Sequence, residues 1–242
     1  MNQEQIERER LIRTEMLLGK AAMERLRRAH VAVFGIGGVG GYAAEALARS
    51  GVGALTLVDH DVVSLSNLNR QIIATQEEIG KEKVDVMRQR IASIAPFCQV
   101  QTQRCFFLPE TAEQFDFSQY DYVIDAVDTV SAKIEIILRA KQAKTPVISC
   151  MGTGNKLDPG QLEVAELEKT SVCPLARVMR RELRARGVTD VKVVYSKELP
   201  RTPLPLEEQT GSKRVPASAV FVPGAAGLML ASQVVQELTG QA

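Results

Sequence analysis

The 242-residue chain lacks tryptophan and holds only four tyrosines, so it offers no evident aromatic platform for stacking nucleic-acid bases. It has no pair of cysteines separated by two residues, which argues against a thiolate zinc site and a thioredoxin-like redox site. Scattered thiols suit a reduced cytosolic compartment; they are Cys98, Cys105, Cys150 and Cys173. Thirty basic and 29 acidic residues leave a net charge of +1, which excludes a generally polycationic surface but not a local basic patch.

Long apolar runs are scarce as well. The charged N-terminus has no apolar core of the kind that a secretory signal needs. Residues 217–235 carry no charge, but Pro223, Gly224 and Gly227 interrupt the run, whereas a membrane-spanning helix needs about 20 predominantly apolar residues. We predict a strand at residues 217–222 and then a buried helix that opens at Pro223, since proline suits the first helical turn. The expectation is a cytoplasmic protein without stable membrane insertion.

Short apolar runs alternate with helical patterns along the first two thirds of the chain. Strands are predicted at residues 30–34, 54–58, 99–104, 120–125 and 146–150. Helices are predicted at residues 41–50, 81–94 and 131–143, with short amphipathic helices within residues 4–28. This alternation indicates parallel βαβ units and one α/β domain over residues 1–242, with a Rossmann-like three-layer fold and a mostly parallel central sheet.

The C-terminal third has a different pattern, which predicts an antiparallel extension of the sheet. An antiparallel strand is expected at residues 160–168, a basic helix at 174–186 and another strand at 191–195. Residues 200–216 hold four prolines and few apolar side chains, which predicts a long mobile loop.

A glycine-rich turn follows the first predicted strand and precedes a helix. Its glycines are Gly35, Gly37, Gly38 and Gly40. Such a turn lets phosphates approach the backbone N–H groups at a helix N-terminus. Asp59 ends the next strand about 20 residues further on, where an acidic residue can bind ribose hydroxyls. These residues predict a nucleotide site without deciding which nucleotide it holds.

A cationic and amide-rich cluster distinguishes ATP from NAD. Arg70 and Lys83 can neutralise phosphate charge that shifts during attack at the α-phosphorus, and hydride transfer needs no such cluster. The same segment holds the further candidate cofactor-binding residues Asp61, Asn67 and Gln71. Asp128 follows another strand at the ligand side of the predicted sheet, where a carboxylate is a suitable Mg²⁺ ligand.

These motifs resemble the ThiF/MoeB/HesA branch of the ubiquitin-activating-enzyme superfamily. The matching segments are RTEMLLG (residues 13–19), GIGGVGG (35–41), LTLVDHDVVSLSNLNRQ (55–71), GKEKV (80–84) and DAVDT (125–129). The resemblance implies a Rossmann-like homodimer that uses ATP and Mg²⁺ to adenylate a carboxylate. It divides the chain into N-terminal helices (1–28), a nucleotide-binding half (29–151) and a substrate-binding and dimerisation half (152–242).

The resemblance also implies a role for each matching residue. Gly38 and its neighbours lie against the nucleotide, and Asp59 holds the ribose. Arg70 and Lys83 hold phosphates, and Asp128 holds magnesium. Arg13 would reach across the dimer to the ATP of the partner, so the implied catalytic set is Arg13, Arg70, Lys83 and Asp128.

The second half narrows the resemblance to one group. Activators of ubiquitin-like carriers usually have two zinc-binding cysteine pairs, which this chain lacks. Its segments GTGNKLDP (152–159), CPLARVMRRELR (173–184), VYSKE (194–198) and FVPGAAGL (221–228) are similar to the tRNA threonylcarbamoyladenosine dehydratases, from about Arg8 to the end. That group cyclises the threonylcarbamoyl group on the adenosine beside the anticodon. Cys173 departs from the expected Asp before Pro-Leu, and a cysteine desulfurase partner for sulfur transfer stays open.

A local excess of basic residues agrees with a tRNA substrate. Residues 170–201 contain eight basic and three acidic residues, a balance of +5. Four arginines share one face of the predicted basic helix: Arg177, Arg180, Arg181 and Arg184. Such a stripe can track phosphates. The alternative is an ordinary solvated helix face.

The expected reaction needs no nucleophile from the protein. The threonyl carboxylate attacks the α-phosphorus of ATP, and a nitrogen of the same group then closes the ring and expels AMP. Neither His30, in a buried strand, nor His60, beside the ribose aspartate, is assigned as a general base. Two alternatives remain, an activator of a ubiquitin-like or sulfur-carrier protein and an NAD-dependent dehydrogenase.

Overall fold

The computed structural model describes residues 3–204 and 216–241. The strands are β1 (His30–Phe34), β2 (Ala54–Asp59), β3 (Gln99–Arg104), β4 (Tyr122–Asp125), β5 (Val147–Cys150), β6 (Leu162–Glu166) and β7 (Lys192–Ser196). The helices are α1 (Gln3–Leu18), α2 (Lys20–Arg28), α3 (Gly40–Ser50), α4 (Lys83–Ile94), α5 (Val130–Ala143), α6 (Pro174–Arg184) and α7 (Phe221–Thr239). Most of the loop predicted at residues 200–216 lies outside the described residues, so its mobility stays a prediction.

The seven strands form one sheet in the order β3-β2-β1-β4-β5-β7-β6. All neighbouring pairs are parallel except β6 and β7, which pair antiparallel with Val164 opposite Val194. The predicted Rossmann-like sheet with an antiparallel C-terminal extension is therefore confirmed. β1 lies between β2 and β4, so the strand order reverses there and opens a crevice at the carboxyl ends, the usual ligand side of such sheets.

Helices cover both faces of the sheet and make the three layers. Alternate residues of β1 point to opposite faces. Val31 and Val33 pack in a core cluster with residues of α2, α3, α4 and α7. Ala32 and Phe34 pack in a second cluster with α5, α6 and a group of buried phenylalanines. Because β1 is buried on both faces, it reads as a continuous apolar run in the sequence.

The predicted strand at residues 217–222 is wrong. Residues 216–219 are irregular, and α7 already begins at Phe221. The backbone of residues 217 and 218 is bonded to loops and not to a strand: Ala217 exchanges hydrogen bonds with Asn155, and Asn69 donates to the Ser218 carbonyl at 2.9 Å. The first turns of α7 pack closely on α3, since a Cβ on Gly227 would lie 2.3 Å from the Val39 carbonyl oxygen. The predicted buried helix is confirmed. None of the helices within residues 3–204 and 216–241 is long and apolar enough to cross a bilayer.

Other element boundaries move by a residue or two from their predicted positions. The clearest example is α4, predicted from residue 81. Glu82 forms an isolated antiparallel bridge with Val62, which keeps Glu82 extended, and the helix begins at Lys83. The bridge brings the start of α4 against the loop after β2, and this contact positions Lys83 beside the crevice.

Candidate active site

A cleft of about 620 Å³ occupies the crevice at the carboxyl ends of the parallel strands. It gathers most of the residues that the motifs single out, although they come from five segments of the chain. The predicted residues that line it are Gly35, Gly37, Gly38, Asp59, Asp61, Asn67, Arg70, Gln71, Lys83 and Asp128. Gly40 and Arg13 do not line it.

The four glycines of the turn after β1 do different jobs. Gly35 has a φ of +88°, and a Cβ there would lie 2.7 Å from the Ala126 carbonyl oxygen. A Cβ on Gly40 would lie 1.8 Å from the Gly35 carbonyl oxygen. A Cβ on Gly37 or Gly38 would meet nothing nearer than 3.5 Å. Gly35 and Gly40 are therefore required by the fold, whereas Gly37 and Gly38 leave room for a ligand at the backbone.

The Asp59 carboxylate fastens the glycine turn to the end of β2. One oxygen accepts from Ile36 N at 2.6 Å, and the other accepts from Asp61 N at 2.9 Å. Each oxygen still has a lone pair for a further donor. The carboxylate is therefore held rigidly at the mouth of the cleft, in position to accept from ribose hydroxyls.

Lys83 is a buried cation at the first turn of α4. Its ammonium donates to Asp61 at 2.6 Å, and its backbone N–H donates to the Asp61 carbonyl at 3.1 Å. The side chain of Lys83 is 6% exposed and that of Asp61 is 50% exposed. Asp61 thus acts here as the counter-ion of Lys83, and Lys83 still has two donors for phosphate oxygens.

The polar side chains of residues 67–71, beside Lys83, differ in how far the protein satisfies their hydrogen bonds. Asn67 accepts from Ser64 N at 3.1 Å and so caps its own short 3₁₀ turn. Arg70 donates to the Ser66 carbonyl at 2.8 Å and to Asn69 at 2.9 Å. Gln71 is buried, and its Oε1 has no hydrogen-bond partner among the described residues. Gln71 is therefore the amide in this group with unused hydrogen-bonding capacity.

Asp128 stands exposed on the turn that follows β4. Thr129 Oγ1 donates to one of its oxygens at 3.3 Å. Beneath the turn lies a fully buried ion pair, with Lys133 Nζ 2.9 Å from Asp125. Lys133 also donates to the Val127 carbonyl at 3.2 Å. No motif in the sequence marks this pair, and its one signal is a lysine on the apolar face of α5.

Arg13 lies on α1 and is exposed, away from the cleft of its own chain. Exposed apolar side chains surround it on the same helix, namely Ile6, Ile12, Met16 and Leu17. Burying such a face against another subunit would remove it from water. The position is compatible with the expected role of Arg13 toward a partner's ATP, which stays a prediction.

The arginines of α6 are together on one face, as their spacing predicts, and line a shallow groove of about 410 Å³. Their environments differ. Arg180 donates to the carbonyls of Thr170 at 2.7 Å and Leu167 at 3.2 Å. Arg181 pairs with Glu182 at 2.8 Å, and Arg184 pairs with Glu168. Much of the predicted positive charge is therefore compensated within the protein, and Arg180 serves the fold.

Neither histidine is placed as a general base. His30 Nε2 lies 2.8 Å from Thr56 Oγ1, and burial lowers the pKa of His30. His60 stacks on Phe106 with ring centroids 4.2 Å apart, beside Asp59 in the lining of the cleft. One ligand atom each of Asp59, His60 and Asp61 lie within 4.8 Å of one another, close enough to bind a cation. The Asp59 carboxylate is already bound to backbone N–H groups, however, and the Asp61 carboxylate to Lys83.

The described geometry defines a class, a Rossmann-like site of the kind that binds a polyphosphate nucleotide: it has a rigid carboxylate at the end of β2, an open glycine turn and a buried lysine. Comparison with known proteins makes this specific. The ThiF family matches residues 9–242, and the chain belongs to that family.

Individual relatives match most of the chain. It is 42% identical over 239 residues to the tRNA threonylcarbamoyladenosine dehydratase of Bacillus subtilis, with 93% of each chain covered. It is 40% identical over 199 residues to the Escherichia coli protein of the same name, covering 79% of this chain and 74% of that one. The crystal structure of the E. coli dehydratase with ATP superimposes with a TM-score of 0.88 at 35% identity, covering 97% and 95% of the two chains.

Proposed function

We propose that this protein is an ATP-dependent tRNA threonylcarbamoyladenosine dehydratase. One observation carries the proposal: a polyphosphate cleft with Lys83 and Arg70 lies in a chain 42% identical, over 93% of its length, to a dehydratase of that name. The solved relative is a complex with ATP. ATP is the nucleotide, and a tRNA carrying threonylcarbamoyladenosine is the second substrate.

Binding of ATP follows from the cleft. Asp59 accepts from the ribose hydroxyls, and the phosphates lie over the open backbone of Gly37 and Gly38. Lys83 and Arg70 provide positive charge where the pyrophosphate departs. A threonyl carboxylate oxygen attacks the α-phosphorus, the bond between that phosphorus and the bridging oxygen breaks, and pyrophosphate leaves. The product is an acyl-adenylate.

Ring closure then occurs within the substrate. A nitrogen of the threonylcarbamoyl group attacks the activated carbonyl, the C–O bond to AMP breaks, and the nitrogen loses its proton. The net result is loss of one water from the nucleoside. Since nucleophile and electrophile belong to one molecule, positioning supplies much of the acceleration. No thioester is needed, because the nitrogen attacks the adenylate directly. The two thiols that line the cleft are also poorly suited as nucleophiles: Cys173 is 2% exposed, and burial raises the pKa of the Cys150 thiol to about 12.

Asp128 is the residue proposed to hold Mg²⁺. It is exposed in the cleft, and hydrogen bonding within the described residues engages only one of its oxygens. Mg²⁺ usually takes one or two protein carboxylates together with phosphate oxygens and waters, and this donor set fits. Bound there, the ion would neutralise charge on the phosphates.

The dimer is part of the proposal, because Arg13 does not line the cleft of its own chain. The exposed apolar face of α1 supports an interface at which Arg13 enters the partner's site. Cytoplasmic localisation and a sulfur-transfer partner stay predictions from the sequence. The alternative of a carrier-protein activator is disfavoured by the lack of zinc-binding cysteine pairs.

Mass spectrometry of tRNA nucleosides tests the proposed function. Purified protein, ATP, Mg²⁺ and tRNA containing threonylcarbamoyladenosine should yield a nucleoside lighter by one water, with AMP and pyrophosphate released in equal amounts. Unchanged nucleoside, together with ATP-dependent adenylation of a carrier protein's C-terminal glycine, would favour the alternative.

A further inference from the structure

The described residues contain three buried lysines, and one of them lacks a counter-ion. Lys83, Lys133 and Lys156 are 5%, 0% and 3% exposed. Lys83 pairs with Asp61 at 2.6 Å, and Lys133 pairs with Asp125 at 2.9 Å. Within the described parts of the chain no carboxylate lies in ion-pair distance of Lys156. Its ammonium donates to the Ser196 carbonyl at 3.1 Å.

A buried ammonium without a counter-ion is costly. Burial accordingly lowers the pKa of Lys156, against the opposing influence of Cys173, Glu198 and Cys150. Glu198 does not serve as the counter-ion. Its carboxylate accepts from Leu157 N at 3.0 Å and Asp158 N at 2.9 Å, and it also pairs with an arginine. Among the described residues, Lys156 is therefore left with unused donors and without a counter-ion for its charged form.

Lys156 lines the same cleft as the ATP residues, at the other end. Asp59 ends β2 and the glycine turn follows β1, whereas Lys156 follows β5 and contacts the end of β7. In the strand order, β4 with Asp128 lies between these two groups. A nucleotide with its ribose at Asp59 and its phosphates at the glycine turn leaves the Lys156 end for the group that attacks the α-phosphorus.

The backbone around Lys156 is fixed. Asn155 has a φ of 62° and donates its N–H to the Ala217 carbonyl at 2.7 Å. Its side chain accepts from Ala217 N at 2.7 Å, and its carbonyl accepts from Arg201 N at 2.8 Å. The segment after β5 is therefore held by two other segments, which fixes the backbone from which the Lys156 side chain extends into the cleft.

We propose that Lys156 binds the threonyl carboxylate of the substrate, which supplies the counter-ion that the described residues do not. This inference rests on the proposed function and deepens it. The reacting group is an anion, and the cleft otherwise concentrates its positive charge around the phosphates. A fixed, desolvated ammonium holds the attacking carboxylate at one end of the cleft. It also discriminates against an uncharged group in the same place.

The test compares two short anticodon stem-loop RNAs, one with the threonylcarbamoyl carboxylate and one with the matching carboxamide. Dissociation constants are measured with a non-hydrolysable ATP analogue bound. A charge-assisted hydrogen bond predicts that the wild type prefers the carboxylate by about 10- to 100-fold. In Lys156→Met the preference should fall close to one, while affinity for the ATP analogue stays unchanged. The four dissociation constants form a double-mutant cycle, which measures the interaction between the Lys156 side chain and the substrate carboxylate.

Two controls isolate the effect. Lys141→Met removes the same charge from α5 outside the cleft, where Lys141 pairs with Asp190, and should keep the preference. Lys156→Arg should retain most of it, and Lys156→Gln replaces Lys156→Met if the latter does not fold. An unchanged preference in a folded neutral variant, or none in the wild type, overturns the inference. If the wild type dehydrates tRNA but the neutral Lys156 variant still prefers the carboxylate, this inference fails and the proposed function stands.

Discussion

The glycine turn separates residues that serve the fold from residues that serve the ligand. We expect Gly40→Ala to destabilise the protein by about 1–3 kcal/mol or more, since its Cβ would overlap the Gly35 carbonyl oxygen. Gly37→Ala should leave the melting temperature nearly unchanged and weaken ATP binding, because its Cβ would occupy the phosphate side of the turn. Thermal melting and ATP titration of both variants check this. An ATP affinity of Gly37→Ala equal to that of the wild type would show that the phosphates do not lie against the Gly37 backbone.

The buried pair under the Asp128 turn allows a second test at the same scale. Lys133→Ala leaves Asp125 buried without its partner, and removal of one member of such a pair costs about 3–5 kcal/mol. Lys133→Ala combined with Asp125→Ala should be less destabilised than the sum of the two single variants. Chemical denaturation of the three variants measures this coupling. Strict additivity would show that the two charges do not depend on each other.

These residues also show which parts of the site could be predicted from the sequence. Asp59, Arg70 and Lys83 lie in contiguous motifs whose chemistry is local, so their convergence follows from the order of strands. Lys133 leaves a signal in the sequence, since it lies on the apolar face of α5. Lys156 is recognised only by its burial, by its contact with Ser196 and by the absence of a nearby carboxylate among the described residues. Those facts depend on contacts between segments far apart in sequence, which spacing and composition do not encode.

At the scale of elements, parallel strands and their helices were predictable because their periodicity is strong. The strand expected at residues 217–222 was not formed, although its residues are apolar. There, Asn155 and Asn69 bind the backbone of residues 217 and 218, and the glycines of α7 let the helix approach α3 closely, so tertiary contacts override local strand propensity. The packing partner, Tyr42 on α3, lies almost two hundred residues away in the chain.

Helix α6 yields a prediction that the structure sharpens. Arg180 holds the carbonyls of Leu167 and Thr170, so Arg180→Ala should lower stability by about 1–3 kcal/mol through unsatisfied groups. Arg177→Ala should keep stability. If Arg177 contacts a tRNA phosphate, its loss should lower the slope of log affinity against log salt by about 0.7–0.9.

Filter binding at three salt concentrations, with melting curves for both variants, separates the two roles. ATP affinity should stay constant in Arg177→Ala, because α6 carries its arginines on a groove separate from the cleft. An unchanged salt dependence of tRNA affinity in that variant would show that this face of α6 is an ordinary solvated face without a phosphate contact at Arg177. In that case the tRNA-binding surface must be sought elsewhere on the protein.

At the scale of the whole molecule, the chain folds into a single sheet, yet its cleft lacks one expected catalytic residue. Arg13 is exposed on α1 beside Ile12, Met16 and Leu17. A second copy seated on this helix would both cover the apolar side chains and bring an arginine to each cleft. Two identical sites would then each depend on both subunits, and that dependence is measurable without a structure of the dimer.

Mixing two inactive variants tests this arrangement. Arg13→Ala and Lys83→Ala should each be nearly inactive, because each removes positive charge near the departing pyrophosphate. In a mixed dimer with Arg13 acting across the interface, one site carries both defects and the other carries neither. Random exchange at equal amounts makes about half of the dimers mixed, so about a quarter of all sites are intact. Dehydration assayed after exchange, with exchange shown by pull-down of differently tagged subunits, should recover about that share of wild-type activity. Proven exchange without recovered activity would place Arg13 in its own subunit's site or outside catalysis.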